Sequence, residues 1–322
     1  MHFFSIIIPV YNRPHEINEL LESLTHQTYS HFEVIIVEDG STSRCDHLVS
    51  KYDSRLKIKY FFKPNTGQGF SRNFGFDKSA GEYLIVFDSD CLIPKHYLTT
   101  VNNFLVKEPL DAFGGPDKSL DSFTPIQRAI SYSMTSFFTT GGIRGGDKRL
   151  GAFHPRSFNM GISKSVYKET GGYIITRKGE DIEFSIRIIE KGFKTGLIRE
   201  AYVYHKRRTT LGQFYKQLKF FGRARINVSR FYPKEIKLVH LFPVLFMFGL
   251  IATIIFAIWG IKILFFIGIG AYFLYGFIIF IDSWVMSKNF KVAIISIITA
   301  FIQLIAYGHG FLVEGLKKLS RD

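Results

Sequence analysis

The chain has 322 residues and a mass of 37.0 kDa, room for one large or two modest domains. Its 47% apolar and 16% aromatic content excludes a disordered chain, and the nearly charge-free run Leu238–Leu316 excludes a wholly soluble one. The net charge of +14 is uneven: residues 1–110 sum to −2, residues 111–237 to +13 and the remainder to +3. A basic excess just ahead of an apolar tail suits an anionic membrane surface or a phosphate-bearing substrate. No motif for reading nucleic acid accompanies it, so no nucleic-acid partner is expected. Cys45 and Cys91 form neither a CxxC pair nor a disulfide framework, which fits a reducing cytoplasm. The apolar run Phe3–Ile8 has no basic segment before it and breaks at Pro9, so it does not read as a signal peptide.

The first ninety residues alternate between two patterns. Phe4–Val10, Phe32–Val37, Leu56–Phe62 and Tyr83–Phe87 are short, continuous apolar runs. Between them lie helical spacings at Pro14–Gln27, in the stretch ending at Tyr52, and at Gln68–Ser79. Apolar strands separated by helices predict an α/β fold, a mostly parallel sheet with helices on both faces. Ligands of such sheets bind at the carboxyl ends of the strands. Residues 95–160 are less regular, and Thr139–Phe153, rich in Gly and basic residues, reads as a mobile loop. Further on, Ile162–Thr170 and Asp181–Lys191 read as helices and Thr195–Tyr204 as one strand. In the tail, the stretches Leu238–Gly260, Ile263–Ile281 and Val292–Val313 each approach the ~20 residues that cross a bilayer. Buried helices of a soluble bundle would show polar faces, which these lack. Three spans would put Lys317, Lys318 and Arg321 opposite the basic half of the chain, against the positive-inside tendency. Either that tendency fails here or one stretch is re-entrant or interfacial.

The strand ends carry the chemistry. Asp88-Ser89-Asp90 directly follows the fourth run, and two carboxylates so spaced can share a hard divalent cation that in turn binds a diphosphate. Alone, D-x-D also fits a solvated turn. The first run, however, ends in Pro9-Val10-Tyr11-Asn12 and the second in Glu38-Asp39-Gly40-Ser41. The third is followed by Asn65-x-Gly67-x-Gly69-x-Ser71-Arg72-Asn73. Four successive strand ends thus present polar groups to one rim.

In this ordered set, over about residues 3–225, the chain resembles the family 2 glycosyltransferases, inverting enzymes of the GT-A fold. The resemblance covers P-x-Y-N, the E/D-D-G-S turn, N-x-G-x-x-x-A-R-N and D-x-D, with Ser71 standing where Ala is usual. It implies that Asp39 recognises the nucleotide base, that Pro9 and Tyr11 line that pocket and that Glu38 belongs to the same donor site. It further implies that Arg72 faces the nucleotide, that Asp88 contacts ribose or metal, and that Asp90 ligates Mn²⁺ or Mg²⁺. The family carries an E/D-D pair whose second member is the catalytic base, which maps to Asp181 in Glu180-Asp181. Those two residues open a helix whose buried side is expected to be Ile182, Ile186 and Ile189. A base there takes a proton from the attacking hydroxyl, and a helix N-terminus favours its ionised form. An acidic first turn is the bland alternative. One carboxylate suffices, because the metal rather than a second acid stabilises the departing diphosphate. His205 stands where similar enzymes often place a further metal ligand, and it also fits an exposed strand-end histidine. Lys206, Arg207 and Arg208 could neutralise diphosphate or meet lipid headgroups, or form a solvated basic turn. Asn159-Met160-Gly161 resembles the family's pocket-shaping segment.

The expected enzyme is a membrane-anchored, metal-dependent inverting glycosyltransferase. It would move one sugar from a nucleotide-sugar donor to a lipid-linked or saccharide acceptor presented at membrane lipids. The processive synthases' Q-x-x-R-W is absent from 211–228, where apolar residues at helical spacing alternate with Lys216, Lys219 and Arg223. That stretch reads as an amphipathic helix, either on the membrane or packed on the catalytic domain. Expected domains are a GT-A catalytic domain over 1–208, a basic juxtamembrane helix over 209–237, two to three transmembrane helices over 238–316 and a basic tail over 317–322. The expected location is a bacterial-type inner membrane with the catalytic domain cytoplasmic. Competing readings are a polyprenyl-phosphate glycosyltransferase and a non-catalytic sugar-nucleotide-binding subunit. A nucleotidyltransferase would carry a Gly-rich loop where Tyr11-Asn12-Arg13-Pro14 stands.

Overall fold

The computed structural model of the chain describes residues 1–141 and 153–320. It divides into two compact units, Met1–Lys118 with Arg149–Lys206, and Ser119–Lys148 with Arg207–Asp322. Most of the predicted Gly-rich loop, from Gly142 to Ala152, lies outside the described residues.

The first unit begins with β1 (Phe4–Val10), α1 (Pro14–Thr25), β2 (Phe32–Asp39), α2 (Asp46–Val49), β3 (Ile58–Lys63), α3 (Gln68–Asp77) and β4 (Tyr83–Phe87). It continues through β5 (Cys91–Leu92), α4 (Tyr97–Lys107), β6 (Ala112–Gly114) and β7 (Asp117–Lys118). After α5 (Pro125–Thr135) and α6 (Phe137–Thr140), which belong to the second unit, it resumes with β8 (Asn159–Ser163) and α7 (Lys164–Thr170). It closes with α8 (Glu180–Glu190), β9 (Thr195–Leu197) and β10 (Val203–His205). Among the described residues a seven-stranded sheet runs β3-β2-β1-β4-β8-β6-β9, and a smaller sheet runs β5-β10-β7. The β1–β2, β2–β3, β1–β4 and β6–β9 pairs are parallel, while β8 is antiparallel to both neighbours. The runs β1, β2 and β4 form the centre of the parallel part because their side chains meet a core on both faces, while β3 at the sheet edge is only half-buried. Ile6 and Ile8 join one buried cluster, and Ile7 the other. Strand order reverses between β1 and β4, the crevice where such sheets take ligands.

Three local expectations differ from the structure. Ile162 is not helical: as part of β8 it pairs with Leu84 of β4 and Ala112 of β6, and the helix starts two residues after it, with Ser163 as N-cap. Gly161 lets this strand pass under Phe113, whose ring lies 2.0 Å from where a Cβ would stand. Thr195–Tyr204 is two short strands in different sheets, not one. The buried side of α8 is Glu180, Glu183, Phe184, Ser185, Ile186 and Ile188, with Ile182 and Ile189 only half-buried.

The second unit is helical: α5 and α6, then α9 (Leu211–Val228), α10 (Phe242–Ile258), α11 (Lys262–Ser287) and α12 (Phe290–Leu319). Thr124 and Gln127 form a capping box that starts α5. Ile130 and Met134 of α5, Phe214 and Leu218 of α9 and Ala306 of α12 share one buried cluster. The apolar face of α9 is therefore covered by a helix of its own unit. A polar seam ties α5 to the apolar helices: Tyr132 Oη donates to Asp282 at 2.6 Å, Ser133 meets Thr299 at 2.6 Å, and Thr299 Oγ1 donates to the Ala129 carbonyl. Among the described residues three helical stretches, Leu238–Ile258, Lys262–Ser287 and Phe290–Leu319, are long and apolar enough to cross a membrane.

Candidate functional site

The site grows from four strand ends of the first unit. After β1 the chain turns at Asn12, whose φ of 52° is in the left-handed region that Asn tolerates better than most residues. Its carboxamide oxygen accepts from the Thr42 and Ser43 amides at 2.9 Å, and its own amide donates to Ser41 Oγ at 2.9 Å. The P-x-Y-N and E-D-G-S segments are thereby one bonded unit. Pro9 is half-buried beside them, and Tyr11 stands exposed at the rim.

Asp39, at the end of β2, is 3% exposed and accepts from the Thr66 amide (2.9 Å), the Gly67 amide (2.8 Å) and Lys63 Nζ. Burial pushes its carboxyl up, but Lys63 and the loop amides outweigh that and hold it below the ordinary range. A depressed carboxyl stabilises the fold above its unfolded value of about 3.9 and loses that contribution as pH falls through its folded value. The melting-temperature gap between wild type and Asp39→Asn in detergent should therefore hold from about pH 7 to pH 5 and close below about pH 4. A gap unchanged at lower pH would mean that the Lys63 pairing does not stabilise the fold.

Glu38, expected in the donor set, lies beneath the turn that follows β2. It is fully buried and accepts from Tyr60 Oη and, at 3.0 Å, from the Cys45 amide, so it fixes the 40–45 turn from inside.

Arg72 is 1% exposed, a buried bridge rather than a surface ion pair. Its Nη2 is 2.9 Å from Asp88 Oδ1, its Nη1 is 3.3 Å from Glu180 Oε1, and its guanidinium lies 5.4 Å from the Tyr173 ring centre. One side chain thus joins the D-x-D turn to the first turn of α8. Gln68 Nε2 also donates to Glu180. Burial, and then the neighbouring Asp181 charge, push the Glu180 carboxyl upward, while Arg72 opposes them.

Asp181 follows at the N-terminal end of α8, where its Oδ1 accepts from the Ile182 amide at 2.9 Å. Arg156 Nη1 is 3.5 Å from its other oxygen. Sequence reasoning passed over Arg156, which stands three residues ahead of Asn159-Met160-Gly161 and outside every quoted motif.

Asp90 and His205 meet through sheet register. In the smaller sheet His205 pairs with Cys91, which sets His205 Nε2 3.1 Å from Asp90 Oδ1. The Lys206 amide donates to the Asp90 carbonyl at 3.0 Å, and the His205 ring stacks on Phe158. Ligand atoms of Asp90, Cys91 and His205 lie within 4.8 Å of one another. A carboxylate oxygen and an imidazole nitrogen this close fit a divalent cation, and the nitrogen favours a transition ion such as Mn²⁺ over Mg²⁺. Asp88 stands outside this group, engaged by Arg72. The basic triplet does not act as one cluster: Lys206 pairs with Glu19 in the first unit, and Arg207 is buried in the second.

The family model described as Glycosyl transferase family 2 matches residues 5–171. An uncharacterized glycosyltransferase of Rickettsia bellii is 43% identical over 88 residues, 27% of this chain. The match spans 13% of that protein, so the chain accounts for a small part of this relative's length. Mannosyltransferase PcManGT of Pyrobaculum calidifontis, solved with GDP-Man and Mn²⁺, superposes with a TM-score of 0.54 at 15% identity, covering 71% of this chain and 64% of that one. Staphylococcus aureus TarS in complex with UDP-GlcNAc superposes with a TM-score of 0.51 at 22% identity, covering 70% and 67%. At those identities the likeness is one of fold.

Proposed function

The chain belongs to glycosyl transferase family 2, and from that premise we propose that it transfers a single sugar from a nucleoside-diphosphate donor to an acceptor hydroxyl presented at a membrane. The observation that carries this reading is the bonded chain Asp88–Arg72–Glu180, which sets the D-x-D turn beside the base candidate Asp181.

In this reading the donor's base and ribose lie against Tyr11 and the Asp39 turn, and its diphosphate points toward Asp88 and Asp90. Mn²⁺ or Mg²⁺ held by Asp90 and His205 would supply positive charge to the departing diphosphate. Asp181 accepts the acceptor's hydroxyl proton as that oxygen forms its bond to the anomeric carbon. The bond from that carbon to the phosphate oxygen breaks with its electron pair, and the nucleoside diphosphate leaves. Attack from the face opposite the leaving group inverts the anomeric centre. Arg156 orients Asp181, and Arg72 keeps Asp88 in register with α8. The apolar helices and the +13 charge of residues 111–237 favour a lipid-linked acceptor.

The test is to purify the full chain in mild detergent and titrate it with a panel of sugar nucleotides, with and without Mn²⁺. One donor should bind in a metal-dependent way, and Asp90→Ala should weaken it about 10-fold or more. Failure of every donor to bind folded protein would overturn the reading.

A further inference from the structure

Length and composition make α12 a third membrane span, yet its neighbours in the fold place it elsewhere. α10 and α11 form an antiparallel hairpin turning at Gly260. Gly268 abuts Thr253, and Tyr272 Oη donates to the Phe246 carbonyl at 2.7 Å. If this hairpin crosses the bilayer, the start of α10 and the end of α11 lie on the same side. The α12 helix begins there: Phe290 packs 5.6 Å from Phe280 and 6.3 Å from Trp284, in the last turns of α11. It is there again at Gly308, where a Cβ would stand 2.7 Å from the carbonyl oxygen of Pro243 in the first turn of α10. A helix whose Phe290 and Gly308 both touch that side has not crossed.

Its second half gives an independent argument. From Ile302 to Gly315, α12 runs alongside α9 in parallel. Phe214 and Leu218 pack with Ala306, a Cβ on Gly310 would meet the Lys219 carbonyl oxygen at 2.0 Å, and Arg223 pairs with Glu314 at 2.9 Å. Ile226 lies next to Gly315. Backbone contact over this length puts both helices at one depth, and α9 carries Lys216, Lys219, Arg223 and Arg225. Four cations on one helix exclude it from hydrocarbon. The stretch of α12 that precedes this pairing, 290–301, is only about 18 Å long, well short of the roughly 30 Å core.

We propose that the chain crosses the bilayer twice, through α10 and α11. The α12 helix then stays on the side where both ends of the helical unit lie, with Ile294, Ile298 and Leu316 exposed to lipid at the boundary. This arrangement gathers Lys234, Lys237, Lys288, Lys291, Lys317 and Lys318 on one side and leaves Lys262 on the other. The positive-inside conflict of a three-span chain disappears. The proposal rests on the tail being membrane-inserted and not on sugar transfer.

Four exposed positions report sidedness in the full chain: Ser54→Cys in the catalytic unit, Lys262→Cys, Lys291→Cys and Ser320→Cys. The native Cys45 and Cys91 are buried, and each variant is read above the wild-type background. Sealed vesicles of known orientation are treated with a membrane-impermeant maleimide, with detergent-lysed vesicles giving the maximum. Lys262→Cys should label from one face, and the other three from the opposite face. Labelling of Ser320→Cys from the face that labels Lys262→Cys would establish a third crossing and overturn the proposal. Labelling of all four from one face would overturn it by removing the hairpin's crossing. Neither result depends on donor binding or turnover, so it stands apart from the fate of the catalytic reading.

Discussion

Replacing Asp181 by Asn should leave donor binding intact while lowering transfer to a hydroxyl acceptor by about 10²–10⁴-fold. The substitution keeps the size of the side chain and an oxygen for the Ile182 amide, so the first turn of α8 survives. What it removes is the ability to take a proton. Glu180 cannot stand in, because it is 4% exposed and engaged by Arg72 and Gln68. The measurement is a pair of assays on one preparation: donor titration, and sugar transfer to the matching acceptor. Loss of both would assign Asp181 to the fold rather than to proton transfer. Retention of both would point to an acceptor that is already an anion, such as a polyprenyl phosphate, which needs no base.

The parallel half of the fold is legible in the sequence because each of β1, β2 and β4 is a continuous apolar run buried on both faces. The period of such a run is visible without knowledge of its neighbours. β8 is not legible in that way. Asn159–Ser163 is short, contains Gly161, and becomes a strand because it fits between β4 and β6. The same limit applies to the site. Spacing and motif order locate Asp88, Asp90 and Asp181, but Arg72 and Glu180 are 108 residues apart and meet only in the fold. Spacing also predicts an isoleucine face for α8, where the structure buries Glu180 and Glu183. Those carboxylates go inside because each meets a guanidinium there: Glu183 that of Arg187, one turn on in the same helix, and Glu180 that of Arg72, a partner from another element that no local pattern encodes. His205 is a third instance: its approach to Asp90 follows from the register of a three-residue strand.

Arg72→Met should be the most destabilising single change at the site, by about 3–5 kcal/mol, the usual cost of removing one partner from a buried ion pair. Methionine fills much of the stem's volume, so the loss would come from charge rather than from a cavity. It would leave Glu180 buried beside Asp181, with burial and the like charge both raising its carboxyl and without the guanidinium that opposes them. A group whose folded value is raised binds more protons in the folded state, so the variant should regain stability as pH falls from about 7 toward 5. A cavity or a lost contact would produce no such recovery. Adding Glu180→Gln to Arg72→Met should restore part of the loss, since it removes the stranded charge while keeping the hydrogen-bonding shape. Thermal unfolding of the three proteins across that pH range in detergent makes the measurement. Equal melting temperatures for wild type and Arg72→Met would refute the bridge. So would a deficit indifferent to both pH and Glu180→Gln. If the bridge holds, donor affinity should fall in Arg72→Met and stay low in the double variant. Glu180→Gln repairs the buried charge but does not restore the guanidinium that positions Asp88.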